Sequence, residues 1–212
     1  MGRTAQRSGD GALAGRVGRR SPARPVRSAA MSVFAGPLFA LALLLGAAGV
    51  AKLAQPDAAV RAMATAGLPV PTPAVRVLGA GEVLIAALVL VYGGRLAGLA
   101  VAVAYAAFAA FSQVLLARSE ATASCGCFGV DSSSPVSRWH VGLNVVAAVV
   151  ALAAAIWPTD GLPDVLADQP LTGLPFLALT VIAGWLLFAA YTLLPDLFEA
   201  VDDVRADAEA AA

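Results

Sequence analysis

Hydrophobic residues in this chain do not alternate with polar ones; they run on almost without interruption, in five stretches. These cover roughly Phe34–Ala54, Ala74–Tyr92, Leu96–Ala117, Trp139–Trp157 and Gly173–Leu194. A helix needs about 20 apolar residues to cross a bilayer, and each stretch predicts one such span. The connections are short, so consecutive spans are expected to be antiparallel neighbours. Gly93-Gly94-Arg95 reads as a tight turn between the second and third spans. The first connection opens with Pro56-Asp57, a helix-start signature, and ends in Leu68-Pro69-Val70-Pro71-Thr72-Pro73. That predicts a short interfacial helix followed by a stiff extended strap. Small residues at Ala42/Gly46 and Ala47/Ala51 have the spacing that lets membrane helices approach closely. The first stretch sits behind a basic head like a signal peptide, but its apolar part is too long for one. Lys52 and Pro56 follow where a cleavage site should be, so the first helix is expected to be retained.

Composition agrees. Of the 212 residues, 59% are hydrophobic and 13% charged, and mean hydropathy is +0.80. A soluble domain has about a quarter of its residues charged, so too little charge remains here to cover a wet surface. The fold class is therefore an all-α integral membrane up-and-down bundle, a four-helix core over 34–157 followed by a loop and fifth span over 158–194. Residues 1–33 carry seven arginines against Asp10, and 195–212 carry six acids against Arg205, so both read as polar tails. The zero net charge and the lack of a basic stripe with interleaved aromatics exclude nucleic acid as a partner. The basic head favours a cytoplasmic N-terminus and places the acidic end outside. Met31 stands directly before the first span, and a start there reverses the basic-residue count and the favoured orientation.

The connection after the third span reads Ser124-Cys125-Gly126-Cys127-Phe128-Gly129 and holds the two cysteines of the chain. Cysteines one residue apart can close a very small ring. Disulfide geometry wants Cα atoms about 4.4–6.8 Å apart, which an extended three-residue segment only just meets. Such a bond would be strained and easily reduced, and labile disulfides are the catalytic ones. Two other readings stand beside a redox pair: an inert structural pair, and a metal site. The last needs further ligands, and His140 is the one histidine available.

Polar residues inside the spans point to the same end of the bundle. Lys52 closes the first span, and Glu82 lies roughly 10 Å into the second at 1.5 Å per residue. Gln113 nears the end of the third, and His140 and Asn144 open the fourth one turn apart on one face. Following the chain up and down puts all five in the leaflet that faces the cysteine loop, whichever side is outside. Each has a bland reading: Lys52 snorkels, Glu82 forms a packing ion pair, His140 pairs with Trp139 at the interface, and Asn144 glues helices. An intramembrane carboxylate is nonetheless a functional hypothesis by default.

Cys125-Gly126-Cys127-Phe128-Gly129, followed by Arg138-Trp139-His140 and Asn144, resembles the methylamine utilisation MauE branch of the DoxX-like membrane proteins. Gly49-Val50-Ala51-Lys52-Leu53 and Gly81-Glu82-Val83-Leu84 are similar to features of the same family, so the resemblance covers about Phe34 to Trp157. It implies a redox-associated membrane protein, linked in MauE to maturation of a disulfide-rich partner outside the cytoplasm and in DoxX relatives to thiol redox homeostasis. The fifth span lies beyond the resembling core and reads as packing or anchoring.

Three functions are open. In a thiol–disulfide relay, Cys125 and Cys127 exchange with a soluble thiol protein outside and His140 deprotonates the attacking thiol, with Glu82 beside the membrane acceptor. Electrons then pass to a membrane acceptor, a quinone held near Gln113, Asn144 and Lys52. In an assembly or chaperone subunit, the pair only staples its loop. A small transporter is the third reading, although no paired broken helices are visible. No other cofactor motif is present.

Overall fold

The computed structural model describes residues 33–118, 136–168 and 170–210. Seven helices form among them: α1 (Ala35–Ala54), α2 (Asp57–Thr65), α3 (Thr72–Tyr92), α4 (Gly94–Arg118), α5 (Arg138–Ile156), α6 (Leu162–Asp168) and α7 (Pro170–Ala210). Five are long and apolar enough to cross a membrane: α1, α3, α4, α5 and the Gly173–Leu193 part of α7. The protein is an all-α, multi-pass membrane bundle. Apolar side chains such as Val77, Leu84, Val103, Val146 and Trp185 point outward, where a soluble protein would carry charge.

The first span is the hub. α1 packs on α3, α7, α5 and α4, and it is the most buried of the five spans. Leu38, Phe39, Ala42 and Leu45 of α1 have essentially no exposed surface and meet Val89 of α3, Val101 and Tyr105 of α4, and Ala151 and Ala154 of α5 in one core. Among the small residues of α1, Gly46 backs onto Ala86 of α3, whereas Ala47 faces outward. The tightest contact lies one turn further on, at Gly49.

Adjacency follows the expectation for the first four spans and departs from it at the fifth, which packs chiefly on α1 rather than on α5. α3 and α4 are joined by a two-glycine turn; α3 packs chiefly on α1 and α4 chiefly on α5. The turn is spoken for from the other side. Gly93, at φ 59°, pairs its backbone with Asp160, and Gly94 donates its N–H to the Thr159 carbonyl at 2.8 Å. The α5–α6 connection therefore clamps the α3–α4 turn, and a side chain at Gly93 would run into the Thr159 carbonyl.

The interfacial helix and strap are present as α2 and the irregular residues 68–71, with Pro73 in the first turn of α3. The fifth span differs at its end, because α7 does not stop near Leu194 but continues as helix to Ala210. Pro195 lacks an N–H and leaves one helical hydrogen bond unmade. Beyond it, Ala, Leu and Glu are good helix formers, and their preference carries the helix on.

Candidate functional site

Lys52 and Glu82 meet because two glycines let α1 and α3 touch backbone to backbone. A Cβ on Gly49 would lie 2.6 Å from the Gly79 carbonyl oxygen, and one on Gly79 would lie 2.7 Å from the Gly49 carbonyl oxygen. No larger residue fits either position without pushing the helices apart. One turn along, Lys52 Nζ donates to Glu82 Oε2 at 2.8 Å, with the two side chains 4% and 3% exposed. Lys52 does not snorkel. Its ammonium also lies 5.2 Å from the centre of the Phe108 ring and 3.5 Å from the Ala48 carbonyl oxygen. Phe108 is edge-on to Tyr105, whose hydroxyl donates to the Leu41 carbonyl at 2.8 Å. Three buried polar atoms, Glu82 Oε1, Ser112 Oγ and, at the α3–α4 turn, Thr159 Oγ1, have no hydrogen-bond partner among the described residues. Buried polar groups left this way commonly hold ordered water.

A second cluster forms where α5 begins. Ser137 is its N-cap, with an extended backbone, and a capping box closes with His140 at the third helical position. The Ser137 N–H donates to His140 Nδ1 at 3.2 Å, and the Ser137 hydroxyl lies 3.2 Å from the same nitrogen. A backbone N–H can only donate, so Nδ1 is the unprotonated nitrogen and the ring proton sits on Nε2. Asn144 Nδ2 donates to the His140 carbonyl at 2.7 Å, and its Oδ1 accepts from the Tyr191 hydroxyl of α7 at 3.2 Å. The His140 and Tyr191 rings are edge-to-face with centroids 6.4 Å apart. His140, Asn144 and Tyr191 are all buried.

Between these clusters, α2 seals both stems of the cysteine loop. Ala62 of α2 and Ala66 just past its end pack with Leu115, Phe111 and Val136, so α4 just before the loop and the chain just after it share one small core. Arg118, at the end of α4, lays its guanidinium against Gly67, which at φ 75° has no side chain in the way.

Of the residues expected from the sequence, Lys52 joins Glu82 and His140 joins Asn144. Gln113 joins neither, because it faces outward from α4 while Ser112, one position earlier, is fully buried. Cys125 and Cys127 lie outside the described residues. The proposed quinone residues do not fit such a group. Lys52 is committed to Glu82, both ends of the Asn144 amide are committed, and Gln113 points away. A hollow of about 650 Å³ does lie between α3 and α4, apolar except for Glu82 on its wall. The sequence reading missed Tyr105, Ser112 and Tyr191. The first two share a helix face two turns apart, a weak signal within an alanine-rich run; Tyr191 offered only a lone hydroxyl in an apolar stretch.

A family model described as methylamine utilisation protein MauE matches residues 30–159. The chain belongs to the MauE family. No curated protein and no solved structure matches it. The MauE segment runs from just before α1 to just past α5 and holds Lys52, Glu82, Tyr105, Ser112, His140, Asn144 and both cysteines. Tyr191 and all of α7 lie outside it. Part of the polar cluster in this MauE protein is thus supplied by a helix beyond the family segment.

Proposed function

We propose that this MauE-type membrane protein is a thiol–disulfide exchange component for an extracytoplasmic partner, with Cys125 and Cys127 as its redox pair. The observation carrying this reading is a coincidence of place. The two cysteines of the chain lie one residue apart in a loop whose stems are pinned together under α2. That loop leaves the bundle at the end where the buried polar residues gather.

In the exchange, a partner thiolate attacks one sulfur of the Cys125–Cys127 disulfide, forming a mixed disulfide and releasing the other cysteine as thiolate. The partner's second thiolate then attacks the partner sulfur of the mixed disulfide and expels the cysteine bound to it, so the partner gains a disulfide and both cysteines end as thiols. Two electrons and two protons move from partner to pair. With no third cysteine in the chain, the pair returns to the disulfide only by giving two electrons to an oxidant on another molecule. His140 can act as a base toward a thiol only after Nδ1 leaves its Ser137 cap, so in the resting arrangement it orders the loop stem.

The second reading is a membrane scaffold for a redox partner. It is favoured by the way His140, Asn144 and Tyr191 spend their polar atoms on bonds within and between helices. A variant carrying Cys125→Ser and Cys127→Ser separates the two readings. Exchange predicts complete loss of partner disulfide formation with the protein still in the membrane. A scaffold retains partner binding and most partner maturation.

A further inference from the structure

Beyond its membrane span, α7 carries an apolar stripe into water. The span proper is Gly173–Leu193, and the helix runs on to Ala210, roughly 25 Å further at 1.5 Å per residue. It leaves the bundle beside the start of α5, where Tyr191 bonds to Asn144. The added segment holds six acids against Arg205, too many charges to lie in hydrocarbon. Yet Leu197, Val201 and Val204 on it are 58%, 38% and 68% exposed, and Ala208 is exposed as well. A helix in water normally buries such a stripe against another element.

The spacing of the stripe points to its partner. Leu197, Val201, Val204 and Ala208 are separated by four, three and four residues, the alternation of a heptad seam. Val201 and Ala208 take the a positions, Leu197 and Val204 the d positions, and Leu194 is the preceding a. In the same register Asp196, Glu199, Asp202, Asp203 and Glu209 occupy b, c and f, which lie outside the seam of a two-stranded coil. An acidic helix that keeps its acids off the seam can meet another copy of itself without setting like charges face to face. An anionic lipid surface, by contrast, offers such a segment only repulsion. Membrane insertion favours the self-contact further. Copies that share one orientation present their α7 extensions parallel, at one height and therefore in register. Anchoring of this kind raises the effective concentration, which a coil too short to form between free peptides requires.

We propose that the α7 extension is a self-association segment, which pairs with the same segment of a second copy as a short parallel two-stranded coil through Leu197, Val201, Val204 and Ala208. Val at a with Leu at d is the combination that favours two strands. The pairing does not depend on the exchange reading, and it gives the fifth span a task beyond anchoring.

The test uses the full chain in native membranes, with Cys125→Ser and Cys127→Ser so that each added cysteine is the sole thiol. Leu197→Cys and Val204→Cys each place a thiol at d, and Ala206→Cys places one at f. Under mild oxidation both d variants are expected to form a disulfide-linked species of twice the chain's mass, while Ala206→Cys stays monomeric. Co-expression of two differently tagged chains shows whether both halves are this protein. Equal dimer yields at d and f would mean random collision and overturn the proposal. Absence of a linked species at d, or one that contains any other protein, overturns it as well. The stripe is exposed in the single chain, so Val201→Asp with Val204→Asp is expected to leave the unfolding midpoint of the bundle at the wild-type value and to abolish the Leu197→Cys link. A link that survives both aspartates overturns the seam.

Discussion

Lys52 Nζ lies 2.8 Å from Glu82 Oε2, with both side chains buried between two membrane spans whose backbones touch at Gly49 and Gly79. Charge in the hydrocarbon region is costly, and such a pair faces the bundle interior because its partners are there. The two glycines and the two charges form one device: close approach brings the ions together, and the ions give the close approach a register.

Removing one ion strands the other in an apolar interior. Lys52→Met or Glu82→Leu alone is expected to destabilise the protein by about 3–5 kcal/mol. The double variant, with an apolar pair in place of the ions, should recover most of that loss. Thermal unfolding of the four proteins in one detergent checks this. Equal loss in the double and single variants would mean that the site needs charge for a reason other than pairing.

The glycine contact makes a sharper contrast. Gly79→Ala puts a methyl 2.7 Å from the Gly49 carbonyl, and overpacking of this kind costs about 1–3 kcal/mol. Gly81→Ala, two residues on in the same helix, meets nothing within 4 Å. Its expected effect is neutral or a gain of up to about 1 kcal/mol from helix propensity. In the same detergent the unfolding midpoint of Gly79→Ala should fall, whereas that of Gly81→Ala should hold or rise.

How much of this was legible beforehand follows from what each feature depends on. Span positions depend on length and hydropathy, so the five spans and α2 were readable, as was the pairing of Lys52 with Glu82 across the first two spans. Facing depends on rotation about a helix axis, where one position is about 100°. That is why Gln113 was expected inside and Ser112 is the residue that is buried. Partner choice depends on tertiary contacts that hydropathy does not encode. The fifth span therefore packs chiefly on α1 rather than on α5, the span before it in the chain, and Tyr191, in a plain apolar run, is a partner for Asn144.

Capping at Ser137 gives a local prediction. Ser137→Ala removes the hydroxyl beside His140 Nδ1 and the N-cap of α5. Loss of such a cap typically costs about 1 kcal/mol. The expected result is a small drop in unfolding temperature together with a changed His140 imidazole spectrum. A lowered midpoint with an unaltered imidazole would show that the serine caps the helix without holding the ring.

The seal beneath the cysteine loop is tested at Leu115, which is fully buried against α2 and Val136. Leu115→Ala should cost about 2–5 kcal/mol and speed proteolysis within the loop. Val114→Ala, at a neighbouring exposed position, should leave the cleavage rate near wild type. Similar cleavage rates in both variants would mean that the α2 contact does not restrain the loop stems.

The central claim, a redox-active pair outside the cytoplasm, is tested most directly by labelling Cys125 and Cys127 in intact cells. A membrane-impermeant maleimide is applied before and after mild reduction, with lysed cells as the control. No other cysteine exists in the chain, so every label reports on this pair. The account predicts labelling of intact cells only after reduction, the signature of an extracytoplasmic disulfide. Labelling that needs lysis but no reduction would place a reduced pair in the cytoplasm and contradict it.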